Sequence, residues 1–482
     1  MILRMTSEDA YLFRHALLRD AAYQLQLPGD RARLHGLAFE AIEAVAGGRP
    51  PEPAPLDVSR EARVTPHPSD TFAVELAEHA RLAQHSSRSS VGREAPTLAA
   101  LQRIYLGRAA ANADRHVDHG TAERLWREYS EVVRGRARAE SLRRAAIAAT
   151  RAARFGSAVS LLLHALAFHR KKGDRRSEGI TLGNLASVYD ESGQLEKAER
   201  GYTEALALLR STCFRRFQGA VLTNLATVYK QTGRMELAER TYLESLAVHR
   251  KYRERRAQGI VLANLGNVFR ETGRAELAEK SCRNALDIHR ACGERRFEGI
   301  ALAHLALVCG ETGRIALAER HFDEALGILR EVGDRRFEGI VTGNVASVLQ
   351  ISGRIALAER KYREAIAIHR EQGNRRSEGI ELGNLASVLR TKGNLQAAEL
   401  NFAEAISIHR EMRNRRFEGA HLCGYALLQV DKGRIAVARR TWQQGAGILG
   451  QLGDTDGLHR LAAEMRQCAA RACIRPFRGP SK

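Results

Sequence analysis

The side chains with most scope for chemistry stand in columns, one residue every 40 along the chain. One column is Asn184, Asn224, Asn264, His304, Asn344 and Asn384, with Gly424 interrupting it. A primary amide donates and accepts hydrogen bonds at once. Such a column can grip the N–H and C=O of an extended peptide whatever side chains the peptide carries. It can equally bond to the next copy of the repeat and fix the stacking. Asn is not favoured inside a helix, because its amide competes for backbone hydrogen bonds, so the column needs one of these two reasons. Its neighbours are small (Gly183, Ser187, Thr223, Thr227, Gly343, Ser347, Gly383, Ser387), which leaves room for a backbone to come close. Six residues further along stand Lys230, Arg270 and Arg390, cations able to pair with acidic groups of a ligand.

Other columns carry less. The imidazoles of His169, His249, His289, His369 and His409 are a repeat apart, too far to share one metal ion. Each precedes an Arg near a helix end, where a charged imidazole would suit the helix dipole. Glu199, Glu239, Glu279, Glu319, Glu359 and Glu399 recur with the same period, which implies a solvated face or inter-repeat pairing rather than catalysis. The seven cysteines (213, 282, 292, 309, 423, 468, 473) form no C-x-x-C and no Cys/His cluster, so neither a zinc site nor a disulfide framework is indicated. Reduced thiols and a cytoplasmic location fit that usage. Gly445 to Gly450 spells G-x-G-x-x-G, but it falls in a helical register with no strand before it, and a dinucleotide site needs strand, turn and helix. No G-x-S-x-G, H-E-x-x-H or G-x-x-x-x-G-K-[ST] occurs. The expectation is a protein that is not an enzyme, with no catalytic residue, metal or cofactor.

What must position these columns is a repeat. An Arg-Arg pair opens each copy at 175, 215, 255, 295, 335, 375 and 415, and glycines follow at fixed offsets (179 and 193 in the first copy). Within the 175–214 copy the apolar residues fall in two bursts at helical spacing. The first is Ile180, Leu182, Leu185, Ala186, Val188 and Tyr189; the second runs from Leu195 through Ala198, Tyr202 and Ala205 to Leu209. Gly193 suits the residue that ends the first helix, and Asp174, Asp334, Asn374 and Asn414 suit N-caps. Neither helix can bury its apolar face alone, so the copies must stack. The fold class is all-α, a solenoid of helical hairpins.

The offsets resemble those of the tetratricopeptide repeat: with Gly179 as position 1, Leu182 is at 4, Leu185 at 7, Ala186 at 8, Tyr189 at 11, Ala198 at 20, Tyr202 at 24 and Ala205 at 27. The usual Trp at position 4 is Leu here, and the usual Pro at 32 is Arg210. The 40-residue copies, reading N-L-A/G, then G-R, then G-D-R-R, are similar to the Pins/LGN polarity scaffolds and, more loosely, to kinesin light chain. The resemblance implies a right-handed superhelix whose first helices line a concave face. It also implies that the Asn column holds an extended peptide, as similar ladders do in O-linked GlcNAc transferase and the Pins/LGN scaffolds. Small residues at the helix joints imply dense packing, so enlarging Ala198 or Ala238 is expected to cost about 1–3 kcal/mol. The carboxylate clamp of co-chaperone tetratricopeptide domains is not matched.

Taken in order, residues 1–46 read as a helical segment. Phe13, Arg14, His15, Ala16, Leu17, Ala22, Tyr23, Arg33 and His35 resemble the stretch that follows the nucleotide-binding domain in bacterial signalling ATPases of the STAND type. That likeness implies a remnant of such a regulator and a bacterial signalling context, with an ATPase or kinase acting in trans. Residues 47–96 read as a Pro/Ser-rich linker with one short helix at 71–85. Residues 97–174 are degenerate helical repeats, 175–454 the seven units, and 455–482 a capping helix and tail. The formal charge is +20, and only ten of the 76 basic residues are Lys. Each copy mixes both signs, so the charge reads as a solvated Arg-rich surface. No run of 18 apolar residues occurs, so no membrane span is expected. The resulting expectation is a scaffold that binds a protein or peptide, acidic where the cations meet it. A basic solenoid that binds nucleic acid, and the regulatory half of a split ATPase or kinase, are the alternatives.

Overall fold

The structure, a computed structural model, describes residues 23–52, 56, 65–87, 95–212 and 216–477. Every regular element among them is helical. The chain divides into two compact units, Met1–Val188 and Tyr189–Lys482.

The first unit holds Pro28–Val45, Ala73–Ser87, Ala95–Arg115, His119–Val132, Gly135–Arg151, Phe155–Lys172 and most of Arg175–Glu191. Phe39 meets the edge of Tyr105 at 5.6 Å between ring centroids. The end of the proline-rich stretch is packed rather than loose, because Asp70 is buried and draws in two cations. Arg108 Nε donates to it at 2.7 Å and Arg115 Nη2 at 2.5 Å. Of the residues that carry the signalling-ATPase resemblance, those from Phe13 to Ala22 lie outside the described residues. Within them, Tyr23 Oη is 2.8 Å from His35 Nε2.

The second unit begins with the tail of the first repeat and its second helix, Leu195–Ser211. Repeats two to seven then follow as helix pairs: Arg216–Gln231 and Met235–Lys251, Arg255–Glu271 and Ala275–Ala291, Arg295–Glu311 and Ile315–Glu331, Arg335–Ile351 and Ile355–Glu371, Arg375–Thr391 and Leu395–Glu411, Arg415–Asp431 and Ile435–Leu452. Thr455–Arg471 closes the series. The local signals act as expected at most positions. Asp334 accepts from Phe337 N at 3.0 Å and Asn374 from Ser377 N at 3.4 Å, so both are N-caps. Asn414 is not one: its side chain makes no cap bond. Gly193 turns the chain at φ +77°, where a side chain would be strained.

The core is a stack of large and small columns. Tyr202, Tyr242, Phe322, Tyr362, Phe402 and Trp442 are buried at one register position, and Ala198, Ala238, Ala278, Ala318, Ala358, Ala398 and Ala438 are wholly buried at another. The third repeat carries Cys282 in the aromatic column, and the adjoining first helix has Gly266 against its sulfur where other copies have Ala. Close packing thus survives by a paired exchange.

The Glu column is an inter-repeat clamp. Arg234, Arg274, Arg314, Arg354 and Arg434 donate to Glu199, Glu239, Glu279, Glu319 and Glu399 of the preceding copy at 2.5–2.9 Å. Where the sixth repeat lacks that Arg, Lys392 reaches Glu359 at 2.6 Å instead. Much of the positive surface is therefore paired from repeat to repeat.

Candidate functional site: the interior face of the first helices

The Asn column falls in both units. Asn184 belongs to the first, where its amide nitrogen is buried with no hydrogen-bond partner. The remaining five members belong to the second unit and are all half-buried. Among the described residues, the amides of Asn224, Asn264 and Asn344 make no side-chain hydrogen bond. They are not spent on the stacking. His304 behaves differently: it bonds to the backbone of Ala263 in the preceding repeat, and its Nδ1 is buried without a partner. Asn384 donates to Glu381 Oε2 at 3.2 Å, one turn earlier in its own helix.

Two of the three column cations are already engaged. Arg270 pairs with Glu311 of the next repeat at 2.5 Å, and Arg390 with Asp431 at 2.9 Å. Both bridge to the residue 41 positions on, so they brace neighbouring first helices. Lys230 has no ion pair among the described residues. Burial pushes its pKa down; Glu271 opposes that, and the nearby charges of Arg270, Arg416 and Arg376 add to it.

These residues meet because distant repeats touch. Arg376 of the sixth repeat donates to Gln231 of the second at 2.6 Å, 145 residues away. Arg416 of the seventh repeat reaches Glu271 of the third at 3.3 Å, over the same separation. Burial, with the charges of Lys230 and Arg270, brings the pKa of His304 down to about 3. Lys230, Arg270, Glu271, His304, Arg376 and Arg416 therefore share one enclosed space. Next to it a cavity of about 510 Å³ is lined by Met235, Arg270, Glu271, Arg416, Phe417 and Asp454, among others. Arg390 stands apart from this cluster, paired to Asp431.

Burial pushes four imidazoles of the His column, His169, His289, His369 and His409, toward the neutral form. A Cβ at Gly219, Gly259 or Gly339 would lie 2.6–2.8 Å from the ring of His249, His289 or His369, so each ring is seated on the glycine that opens its repeat. Burial holds His369 and His409 down at about 4. At His369 and His409 desolvation outweighs what a charged imidazole would gain from the helix end. Two departures from the repeat were not singled out in the sequence. Position 3 is Val in the second, third and fifth copies (Val221, Val261, Val341) but Glu381 in the sixth and His421 in the seventh. Comparing the copies with one another exposes them, as breaks in an apolar column.

Among the described residues no group of three or more His, Cys, Asp or Glu is placed to hold a metal ion. None of the described helices is long and apolar enough to cross a membrane.

Helical hairpins in register, clamped copy to copy, define an α-solenoid of the helical-repeat class. The repeats are tetratricopeptide repeats: one tetratricopeptide model matches residues 217–280, 258–331 and 337–411, and a second matches 181–212. No curated protein sequence matches the chain. Among solved structures, a Rap protein complexed with competence and sporulation factor is similar at 11% identity, covering 79% of this chain and 99% of that one, with a TM-score of 0.53. The Rap conjugation gene regulator of plasmid pLS20, in complex with the Phr* peptide, is similar at 13% identity, covering 71% and 91%, with a TM-score of 0.51. A STAND protein with a tetratricopeptide repeat sensor from Pyrococcus horikoshii aligns at 17% identity over 71% of this chain and 53% of that one, with a TM-score of 0.43. At these identities the likeness is one of fold.

Proposed function

We propose that the chain is a non-enzymatic interaction scaffold that holds an extended peptide, or a disordered segment of a partner protein, along its first helices. The observation that carries this reading is the set of unused amides. Asn224, Asn264 and Asn344 recur at one register position, half-buried, with no hydrogen bond to the fold. Their amides are open to solvent rather than sealed in the core, so they are free to pair, and a peptide backbone offers both a donor and an acceptor to each. Lys230, a cation with no ion pair, adds a place for an acidic group of that ligand. Two proteins with this fold were solved with bound factor or peptide, which agrees with the reading. The resemblance of residues 13–35 adds a bacterial signalling context in the cytoplasm, with an ATPase or kinase supplied by another chain.

The test is to pan a displayed random dodecapeptide library on the full chain, then titrate the enriched peptides against wild type and the triple variant N224A/N264A/N344A. The triple variant is expected to unfold at the wild-type temperature and to lose binding by tenfold or more, about 1.4 kcal/mol. Equal binding by both proteins would sink the proposal, as would a library that enriches nothing. Loss of stability without loss of binding would return the column to the stacking role.

A further inference from the structure

Glu381 is the residue least at home in this fold. It is 7% exposed, and no Lys, Arg or His among the described residues pairs with it. Its one hydrogen bond comes from Asn384 Nδ2, a member of the amide column. A carboxylate can accept several hydrogen bonds, so most of its capacity is unmet. Space for it is made on the facing helix: a Cβ at Gly343 would collide with the carboxyl group, and Gly343 directly precedes Asn344. The carboxyl therefore lies against Gly343, the residue before one member of the column, and is bonded to the side chain of another. Burial without a cation raises its pKa to about 7.

The repeat supplies its own control. Three copies have Val where the sixth has Glu381, and an apolar residue there needs no partner. A buried carboxyl where the fold accepts Val weakens the packing, and such local conflicts mark functional positions.

We propose that Glu381, in the notch between Gly343 and Asn384, is a subsite for a cationic group of the bound peptide: a Lys or Arg side chain, or its amino terminus. The subsite rests on the peptide-binding reading above. An ammonium or guanidinium entering the notch supplies the donors that the carboxylate lacks and keeps it ionised.

The library panned on wild type is repeated on E381Q and E381V, and the enriched peptides are titrated against all three proteins. Peptides from the wild-type selection are expected to share a Lys, an Arg or a free amino terminus, and to bind E381Q about tenfold more weakly. Replacing that Lys by norleucine or that Arg by citrulline, or acetylating the terminus, identifies the source. The effective change should weaken binding to wild type and leave binding to E381Q unaltered, as a coupled pair requires. E381V is expected to melt no lower than wild type, since Val fits this position elsewhere. If peptides bind in an Asn-dependent way but carry no shared cation, or bind the variants equally well, the subsite is wrong and the groove stands. Should nothing enrich on wild type, both fall. An unstable E381V would make Glu381 structural and overturn the subsite alone.

Discussion

Arg416 in the seventh repeat holds Glu271 in the third: its Nη1 and Nη2 both lie 3.3 Å from Oε2 of a residue 145 positions earlier. Its Nε donates to Asp454, just before the final helix, at 2.7 Å. One side chain thus ties a middle repeat to the end of the unit, where stacking would join only neighbours. The side chains are 19% and 21% exposed, between the surface and buried limits for ion pairs. Arg416→Met is expected to cost about 1–3 kcal/mol in urea unfolding, because it takes the cation from Asp454 and leaves Glu271 only its looser pair with Arg270 at 3.7 Å. It should also raise the radius of gyration in solution scattering. Arg363→Met removes an exposed Arg from Glu359 in the same helix, which keeps Lys392 as a partner, and should stay within about 0.5 kcal/mol. Equal effects from the two would mean that the long-range contact contributes nothing.

In the second, third and fifth repeats the glycine near the start of the first helix is fixed by the His ring above it. At Gly259 a Cβ would lie 2.6 Å from His289 Cε1 and 2.7 Å from its Nε2. Gly259→Ala is expected to destabilise the unit by about 1–3 kcal/mol despite the better helix propensity of Ala. Adding His289→Ala should recover part of that loss, because the clash and the ring are one interaction. Strict additivity of the two substitutions, read from denaturation midpoints, would show that the ring does not explain the glycine.

Much of this architecture was legible because repetition multiplies weak signals. A single Leu182 or Ala198 says little, but seven copies fix two helices per 40 residues and the joint between them. The site was less legible. Asn224 and Asn264 could be found as a column, yet the sequence alone left open whether their amides were spent on the next repeat. Arg270 and Arg390 looked like free cations and prove to be braces, since their partners Glu311 and Asp431 sit 41 residues away on another helix. Arg376–Gln231 and Arg416–Glu271 depend on how tightly the second unit coils. That sums small rotations over four repeats, and no local pattern records it. Glu381 was hidden for the opposite reason: attention to the period passes over what breaks it.

The turn between the second helix of one copy and the first of the next shows a smaller break. Gly293, Gly333 and Gly373 take φ between +61° and +70°, but Arg253 and Arg413 hold the same place at +55° and +50°. A non-glycine residue in the left-handed region costs about 1–2 kcal/mol, offset in part by the greater freedom of Gly in the unfolded chain. Arg253→Gly is therefore expected to stabilise the protein by about 0.5–1 kcal/mol in thermal or urea unfolding. A loss of stability would mean that the Arg253 side chain makes a contribution larger than the backbone strain.

The buried carboxyl of Glu381 also sets a pH dependence of known sign. Its ordinary pKa is 4.5 and burial lifts it to about 7, so between those values the folded chain keeps a proton that the unfolded chain has released. Its contribution to stability therefore falls as pH rises from about 4.5 to 7, and stays low above that. Asn384 on its own helix is neutral, Gly343 on the facing helix offers no side chain, and Tyr362 from the fifth repeat's second helix has its own pKa raised by burial and, secondarily, by the nearby carboxylate. Nothing among these groups cancels the slope. His369 and His409 act the other way. Held at about 4 against an ordinary 6.5, they lose stability as pH falls through that window. The useful quantity is thus the difference between E381V and wild type, in which the histidines cancel. That difference should widen in favour of E381V by on the order of 2–3 kcal/mol between pH 4.5 and 7.5, read from urea midpoints. A difference that stays flat would mean Glu381 is ionised throughout, beside a cation that already fills its notch.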